Sequence, residues 1–279
     1  MKIKFLGTGC YEGTPAILCN CEVCKKAKRL GGKNLRTRSQ ALINDDMLID
    51  MPPDTYVHLL NYSIDLLNIK HWLITHTHSD HFYPADLPAT GGGYSHHETD
   101  WQGIDFHASI DFKDSFDEHV SDEEHKKYIR FHLEEAGKEF KTGDYSVIPL
   151  KANHAADEQN PLLFSVTRDG KSLLYAHDTG PLFDETWDRL KESGIVYDLV
   201  SVDCTSGANM TYEYPKHMCL GWNIEFRQKM YDLGLADDRT IFVLNHFSHN
   251  GKDTVYDDFK LIAEKYGFVA TYDGLEIEF

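Results

Sequence analysis

Short alternating runs dominate the hydrophobic pattern. Lys2-Ile3-Lys4-Phe5-Leu6 alternates polar and apolar positions as a half-buried strand does, then runs into Gly7-Thr8-Gly9. Residues 40–43 and 47–50 flank the polar turn Asn44-Asp45-Asp46 and predict a β-hairpin. A basic helix is expected over 22–30, and Pro52-Pro53 opens another that runs to residue 60. A strand over 72–75 follows. Beyond residue 141 the pattern predicts strands at 145–150, 162–167 and 171–176, the last two joined through Arg168-Asp169-Gly170. A helix at 183–192, a strand at 198–202, a strand at 241–244 and a helix at 254–266 come next. Residues 268–279 read as a terminal hairpin turning at Asp273-Gly274. Two strand-rich halves, each with helices, predict two packed sheets with helices outside, an α/β (α+β) architecture.

Residues 94–141 break this rhythm. They are rich in charge and histidine, and 121–135 predicts a solvated helix begun by a Ser121-Asp122-Glu123-Glu124 cap. We read the segment as an insertion in a single domain spanning 1–279, with His96, His97, His107, His119, His125 and His132 at the surface. The chain has no repeat, low-complexity tract or linker.

Composition narrows the partners. The 279 residues suffice for a sizeable core, and 41% hydrophobic and 12% aromatic content is that of a globular protein. A net charge of −17 opposes non-specific attraction to nucleic acid or anionic membrane, so a small-molecule substrate is expected. No secretory signal or membrane-spanning run is visible, and a cytoplasmic location is expected.

The chemistry lies in His76-Thr77-His78-Ser79-Asp80-His81, four candidate metal ligands in six positions directly after an apolar strand. A polar turn in a chain with 16 histidines would seldom be so dense. Four further positions place a ligand-type residue just beyond an apolar strand: Asp50, His154, Asp178 and His246. Taken singly, each is more often a capping or surface residue; their shared placement argues for one metal centre.

On these residues the chain resembles the metallo-β-lactamase superfamily of hydrolases, from the first strand to His249. The resemblance implies a four-layer αββα sandwich with two divalent metal ions at one edge of the sheets, zinc, manganese or iron. It implies that His76, His78 and His154 hold one ion, that Asp80, His81 and His246 hold the other, and that Asp178 bridges them with a water or hydroxide. Asp50 is expected behind a ligand histidine, orienting it. Two divalent ions outweigh the charges of Asp80 and Asp178, a field suited to a phosphodiester anion attacked by metal-activated hydroxide. Thr77 and Ser79 support neither the β-lactamase nor the di-iron redox variants of the motif.

Cys19, Cys21 and Cys24 offer three thiolates in a chain with no secretory signal, a metal-binding rather than a disulfide pattern. A structural zinc wants four ligands, and His249, three residues after His246, is the candidate fourth. This pairing resembles the phosphodiesterases associated with carbon–phosphorus lyase, which hydrolyse phosphoribosyl cyclic phosphate. That narrower resemblance implies His217 as a catalytic acid protonating the leaving oxygen, with Asp203 placed to orient it, and a homodimer. The expected function is thus a metal-dependent hydrolase, a di-metal phosphodiesterase for small phosphodiesters, cyclic ones included. Alternatives are a tRNA 3′-end nuclease, a lactone or thioester hydrolase, or a non-catalytic cofactor-biosynthesis relative.

Overall fold

The computed structural model describes residues 1–91, 93–98, 100–155 and 159–279. Strands β1 (Lys2–Gly7), β2 (Gln40–Ile43), β3 (Met47–Ile49), β4 (His71–Leu73), β5 (Ile104–Ala108) and β6 (Ile129–Leu133) build the first sheet. The second takes β7 (Phe140–Thr142), β8 (Tyr145–Lys151), β9 (Leu162–Arg168), β10 (Lys171–Ala176), β11 (Leu199–Asp203), β12 (Ile241–Asn245) and β13 (Val269–Ala270). The last strand, β14 (Leu275–Glu278), returns to the first sheet beside β1. Helices α1 (Glu22–Leu30), α2 (Thr55–Tyr62), α3 (Lys113–His119), α4 (His125–Tyr128), α5 (Asp184–Ser193), α6 (Leu220–Asp232) and α7 (Tyr256–Lys265) fall between them.

Alternation along the strands explains the layering. In β10, Leu173 and Tyr175 face the first sheet, packing with Ile3, Phe5, Ile43 and Phe164. Their neighbours Leu174 and Ala176 face outward, against Trp187 and Leu190 of α5, Phe226 of α6 and Phe259 of α7. On the far face of the first sheet, Leu48, Trp72 and Phe106 meet Phe82, Phe112 and Phe116. Strands buried on both faces read as continuous apolar runs, which is how β10, β11 and β12 appear in the chain. The result is the four-layer αββα sandwich.

Three expectations need correction. The segment 121–135 is not one helix: α4 is a single turn, and β6 pairs in parallel with β5. Its apolar residues are needed there, Ile129 in the core and Phe131 stacked near Phe112 and Phe116. Two of the histidines expected at the surface are buried: His107 bonds Glu134 (2.8 Å) and Thr142 (3.0 Å), and His125 bonds Thr90 (2.7 Å). Nor do residues 268–279 form a hairpin, because β13 and β14 lie in different sheets. The chain crosses at Asp273, whose carboxylate is held by the Thr37 amide (2.6 Å) and the Thr8 hydroxyl (2.6 Å), and at Gly274, whose φ of 93° suits glycine. Helix α6, with Asn223 buried among its apolar residues, had no clear amphipathic pattern to announce it.

Candidate active site

Strands β10, β11 and β12 are parallel and in register, Ala176 beside Val202 and Asp203 beside Asn245. Their carboxyl ends therefore deliver Asp178, Asp203 and His246 to neighbouring points, the edge where open parallel sheets place ligands. The other sheet supplies Asp50 after β3 and the hexapeptide after β4. Asp50, Asp178 and His246 all take positive φ (67°, 53° and 61°). Such backbone costs roughly 1–3 kcal/mol per residue and persists where surrounding structure holds it, most often at functional sites.

The side chains meet in a cluster that is buried except at His78 and, in part, His217. Three sets lie with their ligand atoms within 4.8 Å of one another: His76, His78 and His154; Asp80, His81, Asp178 and His246; and Asp178, Asp203, His217 and His246. Asp178 sits between the first two, its Oδ2 2.5 Å from His81 Nε2 and 3.4 Å from His76 Nε2, its Oδ1 3.3 Å from His246 Nε2.

The outer nitrogens are already engaged. His81 Nδ1 donates to Asp50 Oδ2 (2.6 Å), His76 Nδ1 to Thr75 Oγ1 (3.0 Å), His154 Nδ1 to the Lys216 carbonyl (3.1 Å) and His246 Nδ1 to Thr205 Oγ1 (2.9 Å). Those bonds assign the tautomer and turn every Nε2 lone pair inward. Among the described residues, His76 Nε2, His81 Nε2, His246 Nε2 and Asp178 Oδ1 are buried without a hydrogen-bond partner. Lone pairs and carboxylates facing one another in a dry site repel unless cations lie between them. The donor set therefore fits divalent metal ions.

Electrostatics agrees. Burial disfavours charge on His81, but the carboxylates of Asp178, Asp50 and Asp80 outweigh it and hold its pKa well above that of an ordinary imidazole, a surrounding that favours positive charge. His76 is pushed well down by burial and by the neighbouring His81. The Asp178 carboxyl, despite burial, is held well below its usual range by His246, His81 and His154.

His217 stands beside the cluster. Its Nδ1 is 3.0 Å from Asp203 Oδ2 and 3.3 Å from Asp178 Oδ1, and its ring lies 4.9 Å from that of His154. Burial pulls its pKa down, but the Asp203 carboxylate outweighs this and lifts it to about 9. Asp203 is fully buried and also accepts from the Thr205 and Met218 amides (2.9 Å each).

A separate cluster gathers Cys19, Cys21, Cys24 and His249. His249 Nδ1 is 3.4 Å from Cys21 Sγ and 3.6 Å from Cys19 Sγ. The Cys24 amide donates to Cys21 Sγ at the start of α1, and the Ala16 amide to Cys24 Sγ. All six cysteines are free thiols. Three sulfurs and one imidazole at these separations match the donor set of a structural zinc.

Comparison with known proteins places the chain. The family described as "Beta-lactamase superfamily domain" matches residues 47–235, more than half of the sequence. The chain belongs to the metallo-β-lactamase superfamily. Its fold is similar to a diphosphatase from the PhnP family (TM-score 0.71, 18% identity, covering 100% of this chain and 97% of that one). It is similar too to Zn(2+)-bound PqqB from Methylobacterium extorquens (0.72, 17%, 100% of both chains) and to human tRNase Z, short form (0.69, 17%, 100% and 99%). At such identities the likeness is one of fold. An octanoyltransferase of Porphyromonas gingivalis (strain ATCC BAA-308 / W83) is 38% identical over 85 residues, 29% of this chain and only 16% of that protein.

Within this metallo-β-lactamase site, sequence reasoning missed the groups that hold the ligands. Thr205 contacts His246, His217 and Asp203 through one hydroxyl. Thr75, bonded to Asp50 through both amide and hydroxyl (2.8 Å each), fixes the start of the hexapeptide loop. Glu12 lies in the cavity wall and binds the Ser248 hydroxyl. Only Thr205 carried a signal, as the first residue of the polar run Thr205-Ser206-Gly207-Ala208-Asn209.

Proposed function

We propose that the protein is a di-metal phosphodiesterase acting on small phosphodiesters, cyclic ones included. The observation that carries this reading is the ring of inward Nε2 lone pairs around the buried Asp178, with His217 beside it. His76, His78 and His154 would hold one ion, Asp80, His81 and His246 the other, and Asp178 would serve both; zinc or manganese suits these nitrogen and oxygen donors. Divalent cations held there supply Lewis acidity and bring the pKa of water toward neutrality.

The chain's own residues do the rest. Asp50, Thr75, Thr205 and the Lys216 carbonyl hold the imidazoles at fixed tautomer and orientation. Asp203 engages His217 through Nδ1, which leaves the Nε2 proton for a departing alkoxide in the cavity. As the phosphorus–oxygen bond to the leaving group breaks, that proton passes to the leaving oxygen. Cys19, Cys21, Cys24 and His249 would hold a structural zinc tying the amino-terminal loop to the segment that carries His246. No described helix is long and apolar enough to cross a membrane. A cytoplasmic homodimer is the working form in this reading.

Metal analysis together with a substrate panel tests the proposal. Protein purified without chelator should carry about three metals per chain, and Asp178→Ala about one. The panel comprises bis-p-nitrophenyl phosphate, 2′,3′-cyclic nucleotides, lactones, thioesters and RNA. Cleavage of lactones or thioesters with none of the diesters would overturn the phosphodiesterase reading.

A further inference from the structure

The cavity over the cluster, about 500 Å³, is large enough for one sugar- or nucleoside-sized arm of a substrate. Its walls beyond the ligands include Tyr11, Tyr212, Tyr214, Ser248, Asn250 and Glu12. No Lys or Arg is among the described residues that line it. Guanidinium and ammonium groups are the side chains best suited to recognise a second phosphate, and none is among those described lining residues.

We infer that this pocket selects a phosphodiester whose second arm is uncharged or cationic, and that Glu12 sets the preference. The inference rests on the phosphodiesterase reading. It narrows that reading away from substrates bearing an additional phosphate.

Glu12 is held in place rather than free to swing away. Its Oε2 accepts from Cys10 Sγ (3.3 Å) and its Oε1 from the Ser248 hydroxyl, which in turn accepts from the Asn250 amide (3.0 Å). Its Oε1 also lies 3.6 Å from Nε2 of His249 of the cysteine cluster, and 25% of its side-chain surface stays exposed at the cavity wall. A diester anion held at the metal positions would sit among the histidine and carboxylate ligands, whereas an additional phosphate on the second arm would meet Glu12. Tyr214, its ring 6.0 Å from that of His217, and Tyr212, 6.5 Å from Tyr214, offer aromatic faces to a base, a sugar or an alkylammonium group.

The test uses the metal-loaded protein and three p-nitrophenyl diesters that share a leaving group: thymidine 5′-p-nitrophenyl phosphate, its 3′-phosphorylated form, and p-nitrophenyl phosphorylcholine. The parent protein should favour the first and third over the second by about tenfold or more in kcat/KM, chiefly through KM. Glu12→Gln, which keeps the shape and the acceptor oxygen, should shrink that ratio several-fold at unchanged zinc content. Tyr214→Arg adds a cation without touching the bonds of Glu12 and should raise kcat/KM for the 3′-phosphorylated ester alone. Equal or better cleavage of the 3′-phosphorylated ester by the parent, or an unchanged ratio in both variants, overturns the inference and leaves the phosphodiesterase reading standing. Cleavage of none of the three, together with none of the cyclic diesters of the earlier panel, overturns that reading, and the inference with it.

Discussion

Asp50 and His81 meet with Asp50 Oδ2 2.6 Å from His81 Nδ1, and neither side chain is exposed to solvent. The same carboxylate takes the Thr75 amide and hydroxyl on its other oxygen, so one residue sets both the start of the hexapeptide and the aim of its last histidine. Asp50→Asn keeps the size but offers an amide in place of the second acceptor. Metal affinity should fall about 10- to 100-fold while the fold is retained. Competition with a graded series of chelators measures this; undiminished affinity would remove Asp50 from the centre's support.

His217 should matter in proportion to the leaving group. His217→Ala is expected to slow diesters with alkoxide leaving groups by about 10²–10⁴-fold and p-nitrophenolate esters far less. Asp203→Asn should follow the same pattern, since its carboxylate holds the His217 ring. Equal losses on both substrate types would reject a proton-donating role.

The cysteine cluster should behave as a separate metal site. Cys21→Ser or His249→Ala should lower metal content by about one per chain, leaving the metals of the histidine–aspartate centre in place. The melting temperature should fall as the amino-terminal loop loosens. Elemental analysis beside a thermal melt gives both readouts, and unchanged metal content would make these thiols idle.

Asp273 links stability to pH. Burial raises its carboxyl to about 6, against the opposing bonds from Thr37 and Thr8 and the nearby Arg36. A folded-state pKa above the unfolded one favours the protonated form in the native state. Its contribution is therefore fully present below about pH 4 and is lost as the pH rises through about 6. Relative to the parent, Asp273→Asn should gain stability between pH 4 and pH 7, by up to roughly 3 kcal/mol. Denaturant melts of chelator-stripped proteins across that range would show it. A flat difference would mean that Asp273 stays ionised in the fold.

Legibility in the sequence followed the range of the interactions. The hexapeptide and the strand-end residues could be read because a strand followed by a ligand is a local pattern, and each ligand lies within a few residues of its strand. The supports were hidden because they act across the chain. Thr205 meets His246 across 41 positions, and Glu12 meets Ser248 across 236. Segment 121–135 misled for a related reason: its charges suggested a solvated helix, while Ile129 and Phe131 were claimed by β5 and the aromatic layer behind it. The closing residues looked like a hairpin because turn chemistry at Asp273-Gly274 does not reveal that the strands on either side join different sheets.

The two ligand sets differ in how they are built into the fold, and this has a kinetic consequence. The set of His76, His78 and His154 includes the exposed His78, whereas Asp80, His81, Asp178 and His246 are all buried, Asp178 and His246 just beyond the ends of hydrogen-bonded parallel strands. One position is thus a doorway and the other a vault. Ions should exchange at the first on a shorter timescale than at the second, so that a chelator strips the protein in two phases and a half-loaded state accumulates between them.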